Sequence, residues 1–234
     1  MSGPTYNATA GTAGATLGSL TATGNFSTAA GIATNDTIVV LLMETTGSGA
    51  TSKITGVADG QGSYTPRGYV FDSGSSRGVQ LWTLKNAVSG AHSITVTVSA
   101  TVTVGYIWAS YSNAGGSDVD PTSPATLDQS SSIITPTINT GSATYTNGTV
   151  ISTINTYGGA SATSSTGTIR STGGGLGGGN ELQDQTQSGS GVATASYTFA
   201  VATGGVMNTI TLQNLPFPSG SGAGNFFLMP GFTH

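Results

Sequence analysis

Charge is what this chain lacks most. Its 234 residues include only 5 Lys and Arg and 9 Asp and Glu, so 6% of the chain is charged, whereas an ordinary soluble domain is about a quarter charged. Acid–base catalysis and metal binding draw on the residue types that are scarce here. We therefore expect neither an enzyme activity nor a cofactor.

Cysteine is absent altogether, which excludes disulfides, thiolate nucleophiles and zinc–thiolate sites. The few basic residues are spread along the chain and the net charge is −4. No patch could therefore neutralise several phosphates, which is the electrostatic basis of nucleic-acid binding. Nucleic acid is not an expected partner.

Long hydrophobic runs are also missing. The longest apolar stretch, Ile38 to Met43, is far shorter than the roughly 20 residues that a membrane-spanning helix needs. The first residues, Met1 to Asn7, contain neither a basic region nor an apolar one, so no secretory signal is predicted. We expect synthesis in the host cytoplasm without a signal peptide, and no membrane association.

Glycine, serine, threonine and short β-branched segments make up much of the chain. No window shows a helical period, whereas His92 to Val98 alternates apolar and polar residues, the pattern of a strand with one face in a core. Similar segments, bounded by Gly, Asn, Asp or Ser, predict strands at Ala15–Thr23, Thr37–Met43, Ser52–Val57, Tyr64–Val70, Gly78–Leu84, His92–Val98, Val104–Tyr111, Ile133–Thr137, Thr149–Thr156, Thr166–Thr172, Ala193–Val201, Asn208–Gln213 and Phe226–Met229.

Two hairpins within this pattern are similar to each other. An aromatic strand, a short Ala- and Gly-containing turn and an alternating strand occur both in Leu81–Val98 and in Tyr197–Leu212. This similarity predicts a sandwich with two similar halves.

Five segments occur in an order that is also found in a known group of proteins. They are Asn35–Met43, Val57–Thr65, Leu81–Ala87, His92–Val98 and Tyr111–Ala114, the last followed by Asp120-Pro121 and Leu127-Asp128. Over residues 36–128 the set resembles the jelly-roll-like β-sandwich repeats of phage virion or tail proteins and of bacterial surface proteins. The resemblance implies an all-β, jelly-roll-like antiparallel β-sandwich and supports the fold more than a particular role.

We therefore predict an N-terminal arm over residues 1–24, a β-sandwich domain over 25–215 and an apolar C-terminal tail over 216–234. The tail contains the densest apolar run outside the predicted strands. It could cover its own sandwich or contact a neighbouring subunit. Its candidate partner contacts are Phe226, Phe227, Leu228, Met229 and Phe232.

The ionisable residues offer little chemistry. Asp118, Asp120 and Asp128 surround an Asp-Pro turn, and Glu181 and Asp184 follow later in the chain. A loop role is the main interpretation of these residues, with a Ca²⁺ site at Asp118 and Asp120 or a carboxylate pair as alternatives. Neither His92 nor His234 has a partner at a metal-ligand spacing, so no catalytic or metal residue is predicted.

These observations favour a structural protein of a bacteriophage particle, a capsid decoration or tail component, that binds copies of itself and other virion proteins. The alternative is a carbohydrate-binding module or adhesin domain, with Trp82 or Trp108 stacking on surface glycans. That alternative requires an exposed indole. If both tryptophans are buried, no candidate stacking residue remains.

Overall fold

The structure is a computed structural model that describes residues 4–8, 12–20, 23–27, 31–45, 51–72, 76–112, 117–144, 147–157, 160–173 and 179–214. These ranges contain strands and no helix, so none of them forms a helix that could cross a membrane. The prediction of an all-β antiparallel sandwich is confirmed.

The strands follow one another with short connections. In chain order they are β1 (Thr5–Ala8), β2 (Thr12–Leu20), β3 (Thr23–Ser27), β4 (Thr37–Thr45), β5 (Ile54–Asp59), β6 (Gly62–Ser63), β7 (Thr65–Asp72), β8 (Arg77–Leu84), β9 (Ser93–Val98), β10 (Val102–Ser112), β11 (Ser117–Val119), β12 (Ala125–Ile133), β13 (Thr137–Asn139), β14 (Gly148–Thr156), β15 (Ala162–Ser165), β16 (Thr168–Gly173), β17 (Asn180–Gln187), β18 (Thr194–Phe199) and β19 (Thr203–Asn214).

The strands form two units, each with one inner and one outer sheet. In the first unit, residues 5–112, the inner sheet has the order β10-β4-β8-β7 with β1 and β2 on the free side of β10, and the outer sheet has the order β3-β9-β5-β6. In the second unit, residues 117–214, the inner sheet has the order β19-β14-β17-β16 with β11 and β12 beside β19, and the outer sheet has the order β13-β18-β15.

The sheets stack in four layers, with the two inner sheets face to face. One core lies between the sheets of the first unit and includes Ile38, Trp108 and Ile94. A second core joins the inner sheets and includes Leu41 and Leu182. A third core lies between the sheets of the second unit.

Strand β4 shows why this sequence forms an inner strand. Its odd and even positions are both apolar, because each face of the inner sheet is covered by another sheet. Ile38, Val40 and Leu42 face the outer sheet of their own unit. Val39 and Leu41 face the other unit. The apolar run Ile38 to Met43, which is too short to span a membrane, is therefore part of a strand that is buried on both faces.

Several strand predictions differ from the structure. The segment predicted at residues 133–137 is wrong: β12 ends at Ile133, β13 begins at Thr137 and the residues between them form a bend that contains Pro136. Residues 5–8 and 12–20 of the predicted arm form β1 and β2, which both pair with β10. Residues 15–20 of the strand predicted at Ala15–Thr23 lie in β2. The strand predicted at residues 226–229, with the rest of the tail, lies outside the described residues.

Candidate functional site

Both tryptophans proposed for glycan stacking are buried. Trp108 is 1% exposed and Trp82 is 4% exposed, and both belong to the core of the first unit. A sugar ring stacks on an open aromatic face, and neither indole offers one. The prediction of a stacking platform at these two residues is therefore corrected: both are core residues.

The two aspartates considered for Ca²⁺ have partners within the chain. Asp118 accepts hydrogen bonds from Arg67 at 3.2 Å and from Lys85 at 2.9 Å. Asp120 is fully buried and accepts from the backbone N–H groups of Thr122 and Thr144 at 2.9 Å and 2.6 Å. Among the described residues no group of three or more acidic or histidine side chains could hold a metal ion.

A buried histidine–aspartate pair lies in the first unit. His92 Nδ1 is 2.7 Å from Asp59 Oδ2, and each side chain is 1% exposed. The Tyr64 hydroxyl donates to the same carboxylate oxygen at 3.0 Å. The other oxygen, Oδ1, accepts from the backbone N–H groups of Gln61 and Gly62, so one carboxylate ties the β5–β6 turn to the loop before β9.

This pair resembles a catalytic dyad in composition but not in geometry. His92 Nε2 lies 2.9 Å from the Val88 carbonyl oxygen, so both ring nitrogens are engaged and neither faces solvent. Burial acts to raise the pKa of Asp59, but the hydrogen bonds from His92, Gln61 and Tyr64 outweigh it and leave the pKa below its ordinary value. The arrangement is therefore a structural hydrogen-bonded pair.

A polar cleft of about 210 Å³ lies where the first strand of the chain meets the second unit. Arg170 on β16 donates to Asp184 at 2.8 Å, and its guanidinium carbon lies 4.4 Å from the centre of the Tyr6 ring. Tyr6 in turn packs edge-on against the buried Tyr111 ring. Arg170 thus makes both an ion pair with Asp184 and a cation–π contact with Tyr6.

A second arginine, Arg67 on β7, makes a comparable set of contacts. Its Nε donates to the Thr83 hydroxyl at 2.8 Å, and its Nη2 donates to Asp118 of β11 at 3.2 Å. Arg67 therefore links the inner sheet of the first unit to the first strand of the second unit. Sequence reasoning gave no role to either arginine.

Another cleft, of about 340 Å³, lies between the two sheets of the first unit. Its lining includes Val57, Tyr64, Pro66 and Trp82 together with threonine side chains. The indole Nε1 of Trp82 is buried and has no hydrogen-bond partner. This lining could accept an apolar group, but it brings together no nucleophile and base.

Glu181 is a buried carboxylate that is only partly satisfied. It is 1% exposed; Oε1 accepts from the Ala162 N–H at 2.6 Å, while Oε2 is buried without a partner. Burial raises the pKa of Glu181 above its ordinary value, and the bond from Ala162 offsets only part of that effect. The charged form is therefore disfavoured in the folded state.

We expect Glu181→Gln to raise the free energy of unfolding at pH 8 by about 1 kcal/mol, because it removes a buried charge but keeps an oxygen for Ala162. Since the folded pKa lies above the unfolded one, the wild-type protein loses stability as the pH rises from about 4.5 through the folded pKa. The difference should vanish near pH 4. Urea unfolding of both proteins from pH 4 to pH 8 checks this, and a less stable variant at pH 8 contradicts it.

The candidate partner contacts Phe226, Phe227, Leu228, Met229 and Phe232 all lie outside the described residues, and so does His234. The sequence drew attention to Asp118, Glu181 and Asp184 as acidic residues and to the Asp59–Tyr64 turn as part of the resemblance to surface repeats, but it predicted none of their partners. Comparison with family models, with curated proteins and with solved structures found no match.

Proposed function

We propose that this chain is a structural protein of a bacteriophage particle, a capsid decoration or tail component that acts by binding copies of itself and other virion proteins. The observation that carries the proposal is how the chain uses its charges. All nine acidic side chains lie among the described residues, and each has a polar partner inside the chain. The partners are Asn7 and Ala33 for Asp36, Lys53 N–H for Glu44, His92 for Asp59, Arg67 for Asp118, Thr144 for Asp120, Tyr157 for Asp128, Ala162 for Glu181 and Arg170 for Asp184. Asp72 lies beside the same Tyr157 hydroxyl.

Four of the five basic side chains are engaged in the same way. Arg67 and Lys85 bind Asp118, Arg170 binds Asp184, and Arg77 donates to the Thr156 carbonyl oxygen at 2.9 Å. Charged groups are few, and although Lys85 and Asp128 remain exposed, few ions would have to be desolvated when the outer surface is buried against a neighbour. This favours an assembly role.

The strand order supports a jelly-roll interpretation of each unit. We count β2, β3, β4, β5, β6 with β7, β8, β9 and β10 as strands one to eight. The inner sheet of the first unit then runs 1-8-3-6-5 and the outer sheet 2-7-4-5, because strand five crosses from the outer sheet (β6) to the inner sheet (β7). In the second unit, β12 to β19 counted in the same way give 1-8-3-6-5 and 2-7-4. Apart from the place of strand five, this order resembles that of the eight-stranded jelly roll of viral capsid and lectin domains. The burial of Trp82 and Trp108 removes the observation that favoured the lectin-like alternative.

The proposal is tested by the assembly state of the full chain. Large oligomers are expected in light scattering, and their size should hold from low salt to about 1 M, where charge–charge contacts are screened. Replacing Phe226, Phe227, Leu228, Met229 and Phe232 with serine should reduce the size, whereas replacing the glycines of residues 220–224 with serine should not. A monomer with protease-sensitive ends under all conditions contradicts the proposal.

A further inference from the structure

The two units share more than their strand order. Strands β1 to β5 correspond to β11 to β15, and strands β7 to β10 correspond to β16 to β19. When residues with equivalent pairing partners are compared, the counterparts lie 108–114 residues further on in the first group and 101–103 residues further on in the second. Fold-level rules alone can give two sandwiches the same connectivity. The local irregularities of the strands are a stricter comparison, because packing does not dictate where they fall.

The turns before β4 and β14 correspond. Asn35 and Asn147 both have a left-handed backbone, with φ of 71° and 65°, and each stands two residues before a threonine, Thr37 or Thr149. Gly90 and Gly191 also correspond, with φ of 120° and 104°. Gly90 forms an isolated bridge to Ile32, in the segment before β4, and Gly191 forms one to Ala143, in the segment before β14.

The bulges of the outer sheets correspond as well. In β5 the register shifts between Ile54 and Gly56, and in β15 it shifts between Ala162 and Ser164. The extra residue is a threonine in both strands. Thr55 donates to the Thr97 carbonyl oxygen at 3.2 Å, and Thr163 donates to the Thr198 carbonyl oxygen at 3.1 Å.

The bulges of the inner sheets carry the two arginines. The register shifts between Pro66 and Tyr69 in β7, and between Ile169 and Ser171 in β16. Arg67 and Arg170 lie in these bulges, each two residues after a threonine that pairs with Thr83 or Asp184. Each arginine uses Nε at 2.8 Å to bind that same paired residue.

The far end of each arginine crosses to the other unit. Arg67 reaches Asp118 on β11, the first strand of the second unit, and Arg170 lies over Tyr6 on β1, the first strand of the first unit. The sheet contacts are reciprocal too, since β7 packs on β12 and β19 while β16 packs on β2 and β10. Contacts that exchange in this way characterise a two-fold, isologous interface.

We propose that the chain is a tandem duplication of one β-sandwich unit, and that the inner sheet face with its bulge arginine is a surface for binding a second copy of that unit. The two copies are joined covalently here and meet through the apolar residues of both inner sheets. This inference does not depend on the virion role.

The reciprocal contacts predict a crossed effect of mutation. Arg67→Met and Arg170→Met keep the aliphatic stem and remove the guanidinium. In hydrogen–deuterium exchange of the full chain, Arg67→Met should speed exchange in residues 117–119 about tenfold and leave residues 5–8 unchanged, and Arg170→Met should do the reverse. Lys53→Met removes one positive charge elsewhere and should change neither strand. Faster exchange confined to each variant's own unit, or in neither first strand, overturns the proposal.

A cleaved chain gives a second measurement that does not depend on those variants. A protease site replacing residues 113–116 lets the folded full chain be cut between the units. The two halves should then remain together in size-exclusion chromatography at micromolar concentration and separate only in denaturant. Halves that separate in buffer overturn the proposed binding surface, whatever the assembly state of the intact protein.

Discussion

Replacing Asp59 with alanine is expected to lower the free energy of unfolding by about 3–5 kcal/mol, because the carboxylate accepts four hydrogen bonds and buried donors that lose their acceptor are costly. The substitution leaves His92 Nδ1 and the Tyr64 hydroxyl without their acceptor inside the protein. It also frees the two backbone N–H groups of the turn between β5 and β6. Urea unfolding followed by tryptophan fluorescence measures the loss.

Asp59→Asn is the matched control, because it keeps an acceptor oxygen for the turn and removes the charge. Its expected cost is smaller, roughly 1–2 kcal/mol. The contribution of Asp59 also depends on pH. Its folded pKa lies below the ordinary 3.8, so the stabilisation is complete above the unfolded pKa and is lost as the pH falls through the folded one. An alanine variant within about 1 kcal/mol of the wild type at pH 7 contradicts the role assigned to the pair.

Trp108→Ala should have an effect of similar size, a loss of about 3–5 kcal/mol, because it opens a large cavity in a close-packed core. Trp108 lies on β10 opposite Val40 of β4 in the inner sheet and is 1% exposed. Pairing with β4 and packing against the outer sheet hold this part of β10 in place, so the cavity cannot collapse easily.

Trp108→Phe is the control, since it keeps an aromatic ring at the site and should cost less than half as much as the alanine variant. Far-UV circular dichroism is the suitable probe, because the variants remove a fluorophore. The same burial predicts that glycans leave the tryptophan emission of the wild-type protein unchanged. An alanine variant as stable as the wild type, or a glycan-dependent shift of the emission, contradicts the assignment of Trp108 to the core.

The fold class was predictable from the sequence because the strands of the first unit follow simple patterns. Strand β9 alternates with a period of two, with Ile94 and Val96 in the core and Ser93 and Thr97 exposed. Strand β4 is apolar on both faces. Its flanking turn at Asn35 carries the residue type that tolerates a left-handed backbone. Each of these features acts locally, so each is visible in a short window.

Strand β17 shows why other parts were not predictable. Its sequence from Asn180 to Gln187 contains one apolar residue, Leu182, yet Glu181 and Gln183 are buried. Their partners come from other strands: Gln183 donates to the Ser196 carbonyl oxygen at 3.1 Å, and Glu181 accepts from Ala162. A polar strand is stabilised here by bonds between residues far apart in sequence, which a periodicity argument does not detect.

The similarity of the two halves was predicted with the wrong pairing of segments. The sequence matched β8 and β9 with β18 and β19, whereas the strand order pairs them with β17 and β18. The correct counterpart of β8 is the polar strand β17, so hydrophobicity directed the comparison to the next hairpin. The correspondence of Arg67 and Arg170 could not be predicted from the sequence, because it depends on their positions in β-bulges, which only the strand pairing shows.

The positions of β1 and β11 have a consequence for how the chain is connected. Thr5 pairs with Ser112, and Ser117 pairs with Asn214. The connection from residue 112 to residue 117 therefore runs between these two pairs, and a connection from residue 214 to residue 5 would run between the same two pairs. Residues 113–116 already span that gap. A circular permutant that starts at Ser117, closes 214 to 5 with a copy of those residues and ends at Ser112 therefore keeps every described strand in its register.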